Sequence, residues 1–320
     1  MTEVRSEPRP TDYLGEIYAT WAAEMTRYPD MSLELLRIIF DDWQRATVEP
    51  DGVTYAMSRV GNVPGMWVTP VDAKTDHVLL FLHGGGFALG SSASHRKMVG
   101  HLAKAIGVKA FIVDFRLAPE SPFPAQLDDG AAVFEGLLQA GYAPSQITPV
   151  GDSAGGNLAV SLVLQRMRER RPLPERVVVM SPWLNMENNG ATIDSNDPTD
   201  FLITRAGLQA NIDRYLGGKV SPRDPRVNPL YADFTGFPRL YIDAGSVESL
   251  LDDSVQLEAR ARRAHVDVTL TVGEGMQHVY PFLAGRHPAA DAEIAAIAQW
   301  FWKDPQTAQQ TEASSTRIPA

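Results

Sequence analysis

A serine set among glycines, Gly151-Asp152-Ser153-Ala154-Gly155-Gly156, stands between a short apolar stretch ending at Val150 and a helical stretch beginning near Asn157. That order, strand then serine then helix, restricts the local backbone severely. The serine must sit on a sharp, strained turn, and a side chain at either flanking glycine would strike the neighbouring strand or helix. Ser153 is thereby carried to the tip of the turn, beside the N-terminus of the following helix. A helix start carries free backbone N–H groups and partial positive charge, which suit a developing oxyanion.

A second glycine run, His83-Gly84-Gly85-Gly86, follows the apolar run Val78–Leu82. Successive glycines let the backbone approach a substrate and turn its N–H groups inward. Both patterns, in this order and each at the end of a strand-like run, resemble the nucleophile elbow and oxyanion loop of the α/β-hydrolase fold. Further runs narrow the likeness: Phe115-Arg116-Leu117-Ala118-Pro119-Glu120, the Gly90–Arg96 segment, Ser181-Pro182-Trp183 and Gly275-Met276-Gln277-His278. Over about residues 10–302 the chain resembles the hormone-sensitive-lipase-like branch of serine esterases, within it the bacterial carboxylesterases and ε-lactone hydrolases. It departs from that pattern at Phe115, where the family usually has Tyr.

The resemblance implies a mostly parallel eight-stranded sheet with helices on both faces and a helical cap. It also implies an oxyanion hole formed by the N–H groups of Gly85, Gly86 and Ala154, with no metal and no cofactor. His83, Gly84 and Asp152 are read as supporting these motifs. His83 is expected to fix its loop by hydrogen bonds rather than to transfer protons.

The residues agree with that architecture. Strand-like runs at Val78–Leu82, Val108–Val113, 147–151, 176–181, 239–244 and 267–272 alternate with helical ones, as in a parallel sheet covered on both sides. Thr54–Ser58 and Met66–Thr69, joined around Gly61-Asn62, read as an initial hairpin. Two segments stand outside the alternation, Tyr13–Trp43 and the stretch from Trp183 to Asn228 with a helix near 206–216. The family would pack them together as the cap, over about 10–45 and 183–228, within a single domain spanning 1–320.

A serine hydroxyl needs a general base, and the base needs an orienting carboxylate. In this fold the chain order is serine, acid, histidine. After Ser153 the histidines are His265, His278 and His287. His265 ends a charged helix and His287 lies in a turn. His278 follows the last strand by a short glycine-containing loop, where the family places its base. For the acid, Glu248, Asp252 and Asp243 remain open. Relatives mostly carry an aspartate four residues before a second one that begins the next helix, which puts Glu248 and Asp252 in those places. Ser249-x-x-Asp252 reads as a helix N-cap with an acidic first turn, leaving Glu248 free on its loop. Asp114, Arg116 and Glu120 are expected to form a buried charge network beside the glycine run, and Trp183 a pocket wall or a core aromatic.

Composition bounds the partners. A net charge of −10 over 320 residues, with no basic cluster, argues against nucleic acid. Zero cysteines exclude a thiol nucleophile and a disulfide framework. No run of about 18 apolar residues is present, so no membrane span is expected. The first ten residues lack the apolar stretch of a signal peptide, which gives a cytoplasmic expectation. The polar stretch 304–320 is expected to be a disordered tail. The expected activity is hydrolysis of short-chain esters or lactones through an acyl-enzyme on Ser153. An acetyl-group hydrolase, an acyltransferase or dehydratase, and a non-catalytic ligand-binding module are the alternatives. A homodimer stays open.

Overall fold

The computed structural model describes residues 12–303; the 304–320 segment expected to be disordered lies outside them. Eight strands form one sheet: β1 Val53–Val60, β2 Val63–Pro70, β3 Lys74–Leu82, β4 Val108–Val113, β5 Ile147–Asp152, β6 Arg176–Met180, β7 Arg239–Gly245 and β8 Val268–Gly273. Their order is β1-β2-β4-β3-β5-β6-β7-β8. The β1–β2 and β2–β4 pairs are antiparallel, and from β4 onward every pair is parallel. The turn joining β1 to β2 holds Gly61 and Asn62 at φ 57° and 64°, as tight hairpin turns require.

The helices are α1 Tyr13–Arg27, α2 Leu33–Asp41, α3 Ser92–Ile106, α4 Ala125–Gln139, α5 Ser153–Arg168, α6 Ala191–Ser195, α7 Arg205–Leu216, α8 Leu251–Arg263 and α9 Pro288–Trp302. The run Val78–Leu82 is fully buried because both sides of the sheet are covered. Leu80 and Leu82 belong to one buried layer with Phe134 of α4, Leu158 of α5 and Leu257 of α8. Leu79 and Phe81 point the other way, into a layer with Met98 of α3 and Ile297 of α9.

Tyr13–Trp43 divides into α1 and α2, each opened by a side-chain cap, Asp12 Oδ1 on the Gly15 N–H and Ser32 Oγ on the Leu35 N–H. An aromatic cluster docks this region on the loop after β8. Trp21 stacks on Phe40 at 4.6 Å and Trp43 on Phe282 at 4.5 Å. Trp43 Nε1 donates to the Tyr18 hydroxyl, which donates to the His278 carbonyl, each at 2.9 Å. Tyr18→Phe strands one donor and one acceptor in the interior, an expected loss of about 1–3 kcal/mol. Calorimetry should show the unfolding midpoint fall by several degrees; an unchanged midpoint would mean that these bonds contribute nothing net.

Candidate active site

β5 ends at Asp152, and Ser153, the first residue of α5, takes φ 51°. That left-handed conformation is costly for a non-glycine residue and typical of a functional turn. The flanking glycine is sterically required, since a Cβ on Gly155 would overlap the Leu82 carbonyl oxygen at the end of β3. Ser153 is consequently held between two strand ends, only 5% exposed.

Asp152, the middle residue of the elbow, joins the two glycine motifs. It is fully buried. Its Oδ1 accepts the Gly84 N–H at 3.0 Å, and its Oδ2 lies 3.3 Å from His95 Nε2. The next amides, those of Gly85 and Gly86, donate to no protein acceptor among the described residues. Ala154 N–H belongs to the first turn of α5, where helix donors lack intrahelical partners. All three expected oxyanion donors therefore remain available. His83 is buried against Phe115 and contacts the Gly84 carbonyl oxygen through Nδ1 at 2.7 Å. Burial, followed by neighbouring His95, pushes its pKa down to about 4, which favours neutral imidazole. This geometry agrees with a loop-fixing role.

His278, fully buried, lies on the loop after β8 and borders the same cavity as Ser153. Among the described residues, Glu248 is the carboxylate within ion-pair reach, with Oε1 3.6 Å from His278 Nδ1. That separation exceeds a hydrogen bond, so the pair is coupled by charge at this distance; catalytic contacts often shorten when substrate binds. The other carboxylate oxygen is fixed, with Glu248 Oε2 accepting from Ser181 Oγ at 2.6 Å and Gly245 N–H at 3.0 Å. Burial disfavours the imidazolium, but Glu248, then Asp200 and Asp152, outweigh it and raise the His278 pKa above its ordinary value. His278 Nε2 has no protein partner among the described residues.

Neither of the other acid candidates lies within ion-pair reach of His278. Asp252 Oδ2 accepts from Ala191 N–H and Gln256 Nε2. Asp243 is fully buried, and burial followed by Glu293 drives its pKa well up, toward the neutral acid. The remaining histidines agree with their sequence readings, His265 being exposed and His287 capping α9.

Two expectations need correction. Ser249 does not cap α8: the N-cap is Leu250 and makes no side-chain bond. The Ser249 N–H is instead taken by Asp200 Oδ2 at 2.7 Å, a contact across 49 residues. Asp114, Arg116 and Glu120 form no common network. Asp114 accepts from Ser92, Arg116 pairs with Asp129, and Glu120 pairs with Arg37. Arg116 and Glu120 are more than half exposed.

Sequence reading assigned no role to Ser181, Asp200, Gln277 or Tyr18. Ser181 and Gln277 stood in quoted motifs, but nothing local revealed their partners. Besides gripping Glu248, Ser181 Oγ accepts the Val279 N–H at 2.9 Å. Asp200 Oδ1 accepts the N–H groups of Leu202 and Ile203, and Gln277 Oε1 accepts that of Phe201. The neighbours of Glu248 and His278 thus clasp one loop of the 183–228 insertion.

That loop helps enclose a cavity of about 410 Å³ above Ser153. Its walls include Met25 and Phe40 from α1 and α2, Trp183, Ile203, and Leu208 from α7. Both segments outside the strand–helix alternation therefore border the nucleophile. Trp183 is a wall and a core residue at once, being 1% exposed. Among the described residues, no group of three or more His, Asp or Glu side chains is placed to hold a metal ion. No helix there is long and apolar enough to cross a membrane.

A family described as having the alpha/beta hydrolase fold matches residues 79–282. A solved esterase of the bacterial hormone-sensitive lipase family superposes with a TM-score of 0.85 at 35% identity, covering 91% of this chain and 98% of that one. This chain belongs to the hormone-sensitive-lipase-like esterases of the α/β-hydrolase fold. An acetyl-hydrolase of Streptomyces hygroscopicus is 38% identical over 78% of this chain and 88% of its own length. An esterase of Acinetobacter venetianus is 33% identical over 83% of this chain and 87% of its own. The fold and the branch expected from the two glycine motifs are both borne out.

Proposed function

We propose that this esterase hydrolyses short-chain carboxylic esters by acyl transfer through Ser153, His278 and Glu248. The observation that carries the reading is the cavity shared by an elbow serine at φ 51° and a buried histidine 3.6 Å from a fixed glutamate. His278 takes the Ser153 proton as Oγ attacks the ester carbonyl. The resulting oxyanion lies against the N–H groups of Gly85, Gly86 and Ala154, each such donor being worth about 10²–10³ in turnover in comparable sites. His278, now imidazolium and stabilised by Glu248, protonates the departing alcohol. Water then gives a proton to His278 and attacks the acyl-serine, and the acid leaves with Ser153 restored.

The α1–α2 region and the 183–228 insertion act as a cap over this reaction. A cavity of about 410 Å³ must hold both halves of the ester, which favours acyl groups of about six carbons or fewer. Acetyl esters fit the relative named an acetyl-hydrolase, and small lactones satisfy the same attack geometry. A series of p-nitrophenyl esters from acetate to palmitate, run beside ε-caprolactone, tests the reading. The expected result is an optimum at short chains with no jump at the solubility limit. Faster turnover of emulsified long-chain esters would overturn it.

A further inference from the structure

The cavity over Ser153 carries a charge that the acyl-transfer chemistry does not use. Helix α7 turns Gly207, Ala210, Asn211 and Arg214 toward it, positions three, four and seven apart that share one helical face. Among the described residues no aspartate or glutamate borders the cavity, and Arg214 is its one lysine or arginine. Among the described residues no carboxylate lies within ion-pair distance of Arg214, although the chain as a whole carries −10. Arg214 Nη1 donates to Asn211 Oδ1 at 2.8 Å.

Since arginine is only a donor, this bond turns the oxygen of the Asn211 amide toward Arg214 and leaves Nδ2 on the other side. There Nδ2 lies against the oxyanion loop, where a Cβ on Gly86 would overlap it. Nδ2 has no acceptor among the described residues, and the guanidinium keeps N–H groups beyond the one given to Asn211. Gly207 and Ala210 are small and leave room along the helix. Donors without acceptors, in a mostly apolar cavity beside the nucleophile, match an anionic oxygen on the ligand.

We propose that Arg214 and Asn211 form a carboxylate subsite, so that the preferred substrates are esters bearing a free acid group. This rests on the ester-hydrolysis reading above and names the substrate class. The carboxylate can belong to the acyl half, as in a monoester of a dicarboxylic acid, or to the alcohol half, as in an O-acylated hydroxy acid. The guanidinium supplies the charge, and Asn211 fixes its direction and bridges it to the Gly86 loop.

Matched ester pairs test this. On the acyl side, p-nitrophenyl hydrogen glutarate is compared with p-nitrophenyl pentanoate. On the alcohol side, 4-acetoxybenzoate is compared with its methyl ester. For each pair the ratio of kcat/KM, acid over neutral, is measured in the wild type, Arg214→Gln and Arg214→Lys; comparing ratios between enzymes cancels intrinsic reactivity. In one pair the ratio should fall by about ten-fold or more in Arg214→Gln, mainly through KM, and by less in Arg214→Lys. In the wild type the same ratio should shrink as ionic strength rises. The pair that responds identifies the half carrying the acid. Hydrolysis of both neutral esters, with ratios unchanged by Arg214→Gln in both pairs, would overturn the inference and leave the esterase reading standing. Failure of the wild type to hydrolyse any of these esters would overturn both.

Discussion

Ser153→Ala is expected to reduce ester hydrolysis to below about 1% of the wild-type rate, with the fold intact. The side chain is small, and its oxygen holds no structural bond within the described residues that the fold would miss. The backbone at φ 51° is no worse for alanine than for serine, so the thermal midpoint should stay within a few degrees. Loss of activity together with a collapsed near-ultraviolet dichroism spectrum would assign Ser153 a structural role. Residual hydrolysis well above about 1%, in protein free of contaminating esterase, would remove it from the chemistry.

Glu248→Gln is expected to lower turnover near pH 7 by about 10³–10⁴-fold, as when a triad carboxylate becomes an amide elsewhere. The amide keeps the volume and can still accept from Ser181, but it has no charge to stabilise the imidazolium. Glu248→Asp should do less harm, since the charge survives with one methylene less of reach. Asp252→Asn should cost about 1 kcal/mol or less of stability and keep most turnover, because Asp252 serves Ala191 and Gln256. Inactivation by Asp252→Asn with activity retained in Glu248→Gln would exchange their roles.

The pH profile gives a second handle on the same pair. Catalysis needs neutral His278, whose pKa lies above its ordinary value although burial opposes this, because Glu248 and the more distant Asp200 and Asp152 outweigh it. In the wild type kcat/KM should be lost as pH falls through that raised value. Without the Glu248 charge, burial gains weight, so the acid limb of Glu248→Gln should move to lower pH even as its plateau drops. A limb that stays in place would show that another group sets the histidine pKa.

The parts of the site legible in the sequence are those whose chemistry is local. The elbow needs Gly155 because the Leu82 carbonyl oxygen leaves no room for a Cβ, and such a need leaves a motif. Continuous apolar runs such as Val78–Leu82 read as buried strands for the same reason. What stayed hidden depends on partners far along the chain. Ser249 has the local look of a cap, yet Asp200 and the approach of the insertion claim its N–H. Arg116 and Glu120 stand close in sequence, but their partners Asp129 and Arg37 lie 13 and 83 residues away. Ser181 was visible only as part of a run, because the carboxylate it holds is 67 residues distant. The preference for Glu248 over Asp252 leaned on a cap that is absent, yet Glu248 is the one lying 3.6 Å from His278, while Asp252 accepts from Ala191 and Gln256.

The most direct test of an acyl-enzyme on Ser153 is peptide mapping by mass spectrometry after reaction with a p-nitrophenyl organophosphate, which forms a stable serine ester through the same attack. The expected result is one equivalent of label per chain, on the peptide containing Ser153, with labelling slowed by orders of magnitude in His278→Ala. Stoichiometric label on any other residue, or full inactivation with Ser153 unmodified, would contradict it.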